Sequence, residues 1–215
     1  IVEDHIKPVH IGMPLHFPYV IEEQGDSVLW IASRSGVFRY TMAEGKFDRI
    51  ALARFEGMAV IAFIFDNDGT VWAGLKDGYL LQISNLKVVS GRRIVPCTFL
   101  VKDTKGTFWF GNYQGLYRLA DPISRTSPID HLSVENGLRE NSIIQGFVDR
   151  EGNLWIGGIT RGLSKLTEYY ELRFPMSDVN PPYQYSIGAS DRNGHIWVVS
   201  RSGLYEFWHR RGNIW

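Results

Sequence analysis

Among the side chains that commonly do chemistry, this sequence holds six histidines, one cysteine and a scatter of carboxylates. The histidines (His5, His10, His16, His131, His195 and His209) show neither H-x-x-x-H nor H-E-x-x-H spacing, so no pair is set to grip a metal from one helix face. Cys97 follows Pro96 in an apolar stretch, which suits a core thiol better than a nucleophile, and no G-x-S-x-G elbow is present. Asp66-Asn67-Asp68-Gly69 is like the start of a calcium loop but lacks the later ligands and the terminal Glu, so a turn is the simpler reading. Glu22-Glu23 and the other carboxylates would support hydrolysis only if folding set a pair at the right separation. No catalytic residue, metal site or cofactor is expected.

A cationic pattern is more suggestive. Arg34, Lys76, Arg161 and Arg201, with Tyr113, stand in five short polar segments that recur along the chain. Guanidinium groups pair carboxylate or sulfate bidentately, and a Tyr ring can stack on a sugar face. Whether these groups can cooperate depends on the elements that hold them.

Those elements follow from a repeat. Trp30, Trp72, Trp109, Trp155 and Trp197 anchor five similar segments, at intervals of 42, 37, 46 and 42 residues. In the last four copies an Asp lies six residues before the Trp (Asp66, Asp103, Asp149, Asp191) and a Gly three before it. A second Gly follows at Gly36, Gly78, Gly115, Gly162 and Gly203. D-x-x-G suits a tight turn, with the carboxylate accepting backbone N–H groups and Gly taking positive φ. The apolar run through each Trp does not alternate, which predicts a strand covered on both faces. Two residues after the Trp stands a small residue (Ala32, Gly74, Gly111, Gly157) that leaves space for a neighbouring sheet; Val199 breaks this rule. No stretch has a helical period.

About 40 residues carrying four short strands is one blade of a β-propeller, and the repeated Trp supplies flat area between blades. The expected fold is all-β, with five recognisable four-stranded blades at about 19–50, 60–90, 96–133, 143–174 and 186–215 in one domain. A β-sandwich would not account for the registered Trp. Residues 6–11 and 212–215 compete to supply an outer strand to the last blade. Both a closed five-bladed ring and a fragment of a larger, seven-bladed one therefore stay open.

Composition narrows the function. With 23 basic and 23 acidic residues in 215, the chain is neutral and lacks the bulk positive charge of a nucleic-acid binder. Its longest apolar run, Met58 to Phe65, is far short of the roughly 20 residues of a membrane helix. A lone cysteine excludes an intrachain disulfide. The start at Ile1, with no basic or apolar leader region, fits a removed leader or a piece of a longer protein.

The fourth copy, ENGLRENSIIQGFVDREGNLWIGGITRGLSKL (135–166), resembles the two-component regulator propeller repeat, with its segment D-x-x-G-x-L-W-I-G followed by G-L. The likeness covers about residues 19–208. Copy one departs at Ser27, where Gly is expected, and copy two carries an extra residue before Ile83. The resemblance implies a periplasmic or otherwise extracytoplasmic sensor region joined to the membrane and to an output module through other segments. It implies a carbohydrate ligand and no enzyme activity. Streptogramin lyases are a weaker resemblance, and no catalytic His/Glu set transfers from them. A protein-interaction propeller without a small ligand is the main alternative, and a lyase or glycan hydrolase the lesser one.

In a propeller, the hairpin between the second and third strands opens on the same side as the link between blades. This brings Arg34, Lys76, Tyr113, Arg161 and Arg201 to one face. The links add Arg54, Glu56, Arg92, Arg93, Glu135, Asn136, Arg139, Glu140, Asn141, Asp178, Asn180, Tyr183 and Tyr185. The candidate ligand residues are Arg34, Lys76, Arg93, Tyr113, Arg139, Asn141, Arg161, Tyr183 and Arg201, facing an acidic or mixed oligosaccharide. Other propeller blades or protomers are the expected macromolecular partners.

Overall fold

Each copy of the repeat folds into an antiparallel meander in the computed structural model. The structure describes residues 16–166 and, beyond them, 171–174, 185–190, 195–200 and 203–207. The first blade is β1 (Pro18–Gln24), β2 (Val28–Ser33), β3 (Gly36–Thr41) and β4 (Lys46–Ile50). The second is β5 (Val60–Phe65), β6 (Val71–Leu75), β7 (Tyr79–Ser84) and β8 (Lys87–Arg93). The third is β9 (Phe99–Lys102), β10 (Phe108–Asn112), β11 (Gly115–Leu119) and β12 (Ile129–Leu132). The fourth is β13 (Ile143–Val148), β14 (Leu154–Gly158), β15 (Leu163–Leu166) and β16 (Glu171–Phe174). The last sheet has three strands, β17 (Tyr185–Ser190), β18 (Ile196–Ser200) and β19 (Gly203–Phe207). Both candidate outer strands for it, 6–11 and 212–215, lie outside the described residues. Among those described there is no α-helix, only two short 3-10 turns, and no helix long and apolar enough to cross a membrane.

The D-x-x-G segments form the turns that their chemistry demands. The Asp66 N–H donates to the Thr70 carbonyl at 2.9 Å, and the Gly69 N–H donates back to the Asp66 carbonyl at 3.1 Å. The same closure recurs at Asp103 and Asp149. Gly69, Gly106 and Gly152 all adopt φ near +85°, a conformation open to glycine at little cost. The Asp does more than cap the turn. Its second carboxylate oxygen accepts the indole N–H of the blade's tryptophan, at 2.8 Å in Asp66–Trp72 and Asp103–Trp109 and 2.7 Å in Asp149–Trp155. In the first blade Gln24 stands six residues before Trp30 and its side-chain oxygen accepts the indole at 2.8 Å. A buried indole thereby gains the partner it would otherwise lack.

The blades stack through these tryptophans and the strands behind them. First strands pack in succession, β1 on β5, β5 on β9, β9 on β13 and β13 on β17. Trp30 meets Phe63 of the second blade at 5.6 Å between ring centroids, and Trp72 meets Phe108 of the third edge-on at 5.5 Å. The small residue after the Trp leaves room for this approach: a Cβ on Gly74 would lie 2.6 Å from Leu100 Cδ2 in the next blade. β6 and β14 are buried along their whole length, as a non-alternating apolar run requires.

Among the described residues, two blade faces differ from the rest in their exposure. Leu80, Leu116 and Leu163, paired across from Gly74, Gly111 and Gly157, are buried. Their counterpart Leu204, paired with Val199, is 62% exposed. On β1, Ile21 is 61% exposed, whereas its counterparts Phe63 and Leu100 are buried against the preceding blade. Among the described residues, no packing as extensive as that between the other successive first strands joins β17 to β1.

Candidate functional site

The hairpins and inter-blade links do share one face. The Lys76 N–H donates to the Ala59 carbonyl at 2.8 Å, and the Cys97 N–H to the Lys76 carbonyl at 3.2 Å. The Asn112 side chain donates to the Pro96 carbonyl at 2.8 Å, and the Ile159 N–H to the Ser142 carbonyl at 3.2 Å. The second repeat glycine is explained by this crossing. At Gly78, with φ +86°, a Cβ would lie 2.6 Å from the Pro96 backbone nitrogen, because the next link runs directly over the hairpin.

Arg34 lies in a cavity of about 800 Å³ bounded by Phe17, Tyr19, the 33–37 hairpin, Arg49 and the 52–59 link. Its guanidinium sits 5.5 Å from the centre of the exposed Phe17 ring, which is its one partner among the described residues. Arg49 pairs with Glu56 at 3.3 Å, and the other Glu56 oxygen accepts the Leu52 N–H at 3.0 Å. The Tyr19 hydroxyl donates to the Ser33 carbonyl at 3.3 Å.

The other expected residues divide. Lys76 and Tyr113 are exposed on the loop face. Arg161 and Arg139 line a second cavity of only about 10 Å³ with the buried Glu140. The Glu140 carboxylate accepts the Thr160 N–H and hydroxyl and the Arg161 N–H, so it braces the hairpin. Arg139 Nη1 is enclosed there without a hydrogen-bond partner. Asn141 is also structural, accepting the Val134 N–H at 2.8 Å. Arg93, on an outer strand, donates to the Tyr79 hydroxyl at 2.9 Å and covers its ring. Arg92 binds the carbonyls of Asp121, Ser124 and Ser127 and clamps the 120–128 loop. Tyr183 and Arg201 lie outside the described residues.

Sequence reasoning missed Phe17, Tyr19 and Arg49. Tyr19 falls at the irregularity between Pro18 and Val20 in β1, and Arg49 closes on the hairpin Gly36. None of the three belongs to the repeat pattern, so only folding unites them.

The alternative chemistries have less support in the geometry. Among the described residues no three His, Cys, Asp or Glu side chains converge to hold a metal. Cys97 is buried, and burial pushes its thiol up to about 12. Asp66 is occupied by Trp72 and Lys102. Asp68 accepts the Thr70 N–H at 2.9 Å, which holds its carboxyl below the usual value. The Asp66–Gly69 segment is therefore a turn.

No family model and no curated protein matches the chain. Solved structures do. The extracellular domain of the hybrid two-component system BT3049 from B. thetaiotaomicron superposes with a TM-score of 0.70 at 21% identity, over 88% of this chain and 27% of that one. The extracellular domain of BT4673 from the same organism, described as a one-component and as a hybrid two-component system, has 25% identity and a TM-score of 0.58. It covers 94% of this chain and 30% of its own. This chain thus spans less than a third of either. Virginiamycin B lyase from Staphylococcus aureus matches with a TM-score of 0.71 at 15% identity, over 92% of this chain and 71% of the lyase. The feature shared with all three is the propeller fold.

Proposed function

We propose that this chain is the ligand-sensing part of an extracytoplasmic propeller in a two-component regulator. A carbohydrate fragment binds the loop face and shifts the packing of blades or protomers, and other segments carry that shift to an output module. The observation that carries this reading is the fit of 88% of the chain to the extracellular domain of BT3049, joined to the repeat pattern of 135–166. The concave loop face, with the Arg34 guanidinium beside the exposed Phe17 ring, adds support.

Thermal unfolding against acidic and neutral oligosaccharides, with the recovered ligand checked for cleavage, tests it. A ligand at about 100 times its Kd stabilises by roughly 2.7 kcal/mol, or about 5–10 °C for a domain of this size. Stabilisation with intact ligand supports the sensor. Cleaved ligand turns the protein into an enzyme, the reading favoured by its likeness to virginiamycin B lyase. No stabilisation across the panel leaves an interaction propeller.

The same reading includes a larger ring. Two bare blade faces, at Ile21 and at Val199–Leu204, are surfaces that further blades would cover. Five sheets matching 71% of the lyase correspond to about seven over its full length. Leu204→Asp should then change the stability of this chain by no more than about 0.5 kcal/mol. A loss above about 3 kcal/mol would mean that the five blades close on themselves.

A further inference from the structure

We infer that the cavity between the 33–37 hairpin and the 52–59 link binds an organic anion with a flat face, its carboxylate or sulfate held by Arg34 and its flat side laid on Tyr19 or Phe17. This rests on the sensing reading and assigns that site its ligand class. The cavity, about 800 Å³, has the size of a small-molecule pocket, whereas the one beside Arg161 has room for no more than a water.

Three of the other basic side chains near this face are already engaged or enclosed. Arg93, Arg92 and Arg139 are committed to Tyr79, to loop carbonyls and to an enclosed position. Arg34 has an aromatic neighbour but no carboxylate among the described residues. The ionic groups lining the cavity are Arg34, Arg49 and Glu56, and Glu56 offsets Arg49 alone. Among the described residues one positive charge is left over. A planar guanidinium beside an exposed ring offers a bidentate anion site with an apolar shelf next to it.

The test titrates the full chain with a hexuronic-acid disaccharide, the matching neutral hexose disaccharide and 4-hydroxybenzoate, read by calorimetry. The inference expects saturable binding of at least one acid, and neutral sugar at least tenfold weaker. Arg34→Ala should weaken the acid at least tenfold, Arg34→Lys less, and Arg93→Ala should change nothing. The two acid arms tell a sugar acid from an aromatic acid. Equal binding of acid and neutral sugar, or unchanged binding by a folded Arg34→Ala, overturns the anion site while the sensor reading stands. If neither these probes nor the wider oligosaccharide panel binds, both fall.

Discussion

The junction between the second and third blades and the outward face of the last blade are built from the same repeat positions and end in opposite states. At the junction, Leu80 and Gly74 receive Leu100 and Phe108 from the next blade and are sealed from water. In the last blade, Leu204 and Val199 hold the equivalent places and face outward. The residue that breaks the small-residue rule, Val199, thus lies where no described neighbour presses. A repeat position takes its energy from what covers it, so equivalent places in the repeat are sealed at one junction and exposed at another.

The strongest attack on this contrast is Leu116→Ala beside Leu204→Ala. Leu116 is fully buried in a cluster with Phe99, Leu138, Ile143, Leu154 and Ile156, and its truncation should cost about 2–5 kcal/mol. The exposed Leu204 should cost no more than about 0.5 kcal/mol. Equal losses in denaturant unfolding would erase the difference. Gly74→Ala forces Leu100 to move and should lose about 1–3 kcal/mol, against a negligible change for Val199→Ala.

The Asp–Trp contacts sharpen it further. Asp149→Ala removes acceptors from the Trp155 indole and the Asn153 N–H, and should cost about 1.5–3 kcal/mol because a charged group accepts both. Gln24→Ala, which frees only the Trp30 indole at the open end, should cost about 1 kcal/mol.

The smallest effect belongs to Glu22 on β1. Its side chain keeps access to solvent, yet partial burial raises its carboxyl above the ordinary 4.5. Folding therefore favours the protonated form, and that contribution is lost as pH rises through the raised value. Glu22→Gln should raise Tm slightly at pH 7, and the gain should vanish below pH 4.5. A gain that persists in acid would assign the effect to something other than ionisation.

Much of the fold was legible because one blade is a local object. The turn at Asp66–Gly69 closes within five residues, and Trp72 finds its Asp acceptor six residues away. The indole bond itself was not anticipated, although the constant spacing contained it. Gln24 stands at the same spacing from Trp30 and does the same work, but not being an Asp it carries no repeat signature. The shared face of hairpins and links also followed from the meander. Site composition was harder to read. Asn141, Arg92 and Arg93 look like free binding groups in a sequence, but backbone N–H groups, carbonyls and a Tyr already claim them.

Periodicity and turn chemistry alone thus determined the all-β propeller, its blade spacing and the side on which its loops lie, because each depends on contacts within about 40 residues. Tertiary structure decided which cations are engaged among the described residues, which cavity is large enough for a ligand and which of the described blade faces are exposed. Phe17, Tyr19, Arg34, Arg49 and Glu56 come together across a hairpin and a link. Leu204 holds the place of Leu116 in the repeat, yet it is exposed where Leu116 is buried. Such outcomes depend on separate elements converging in space, and no spacing along a single strand encodes them.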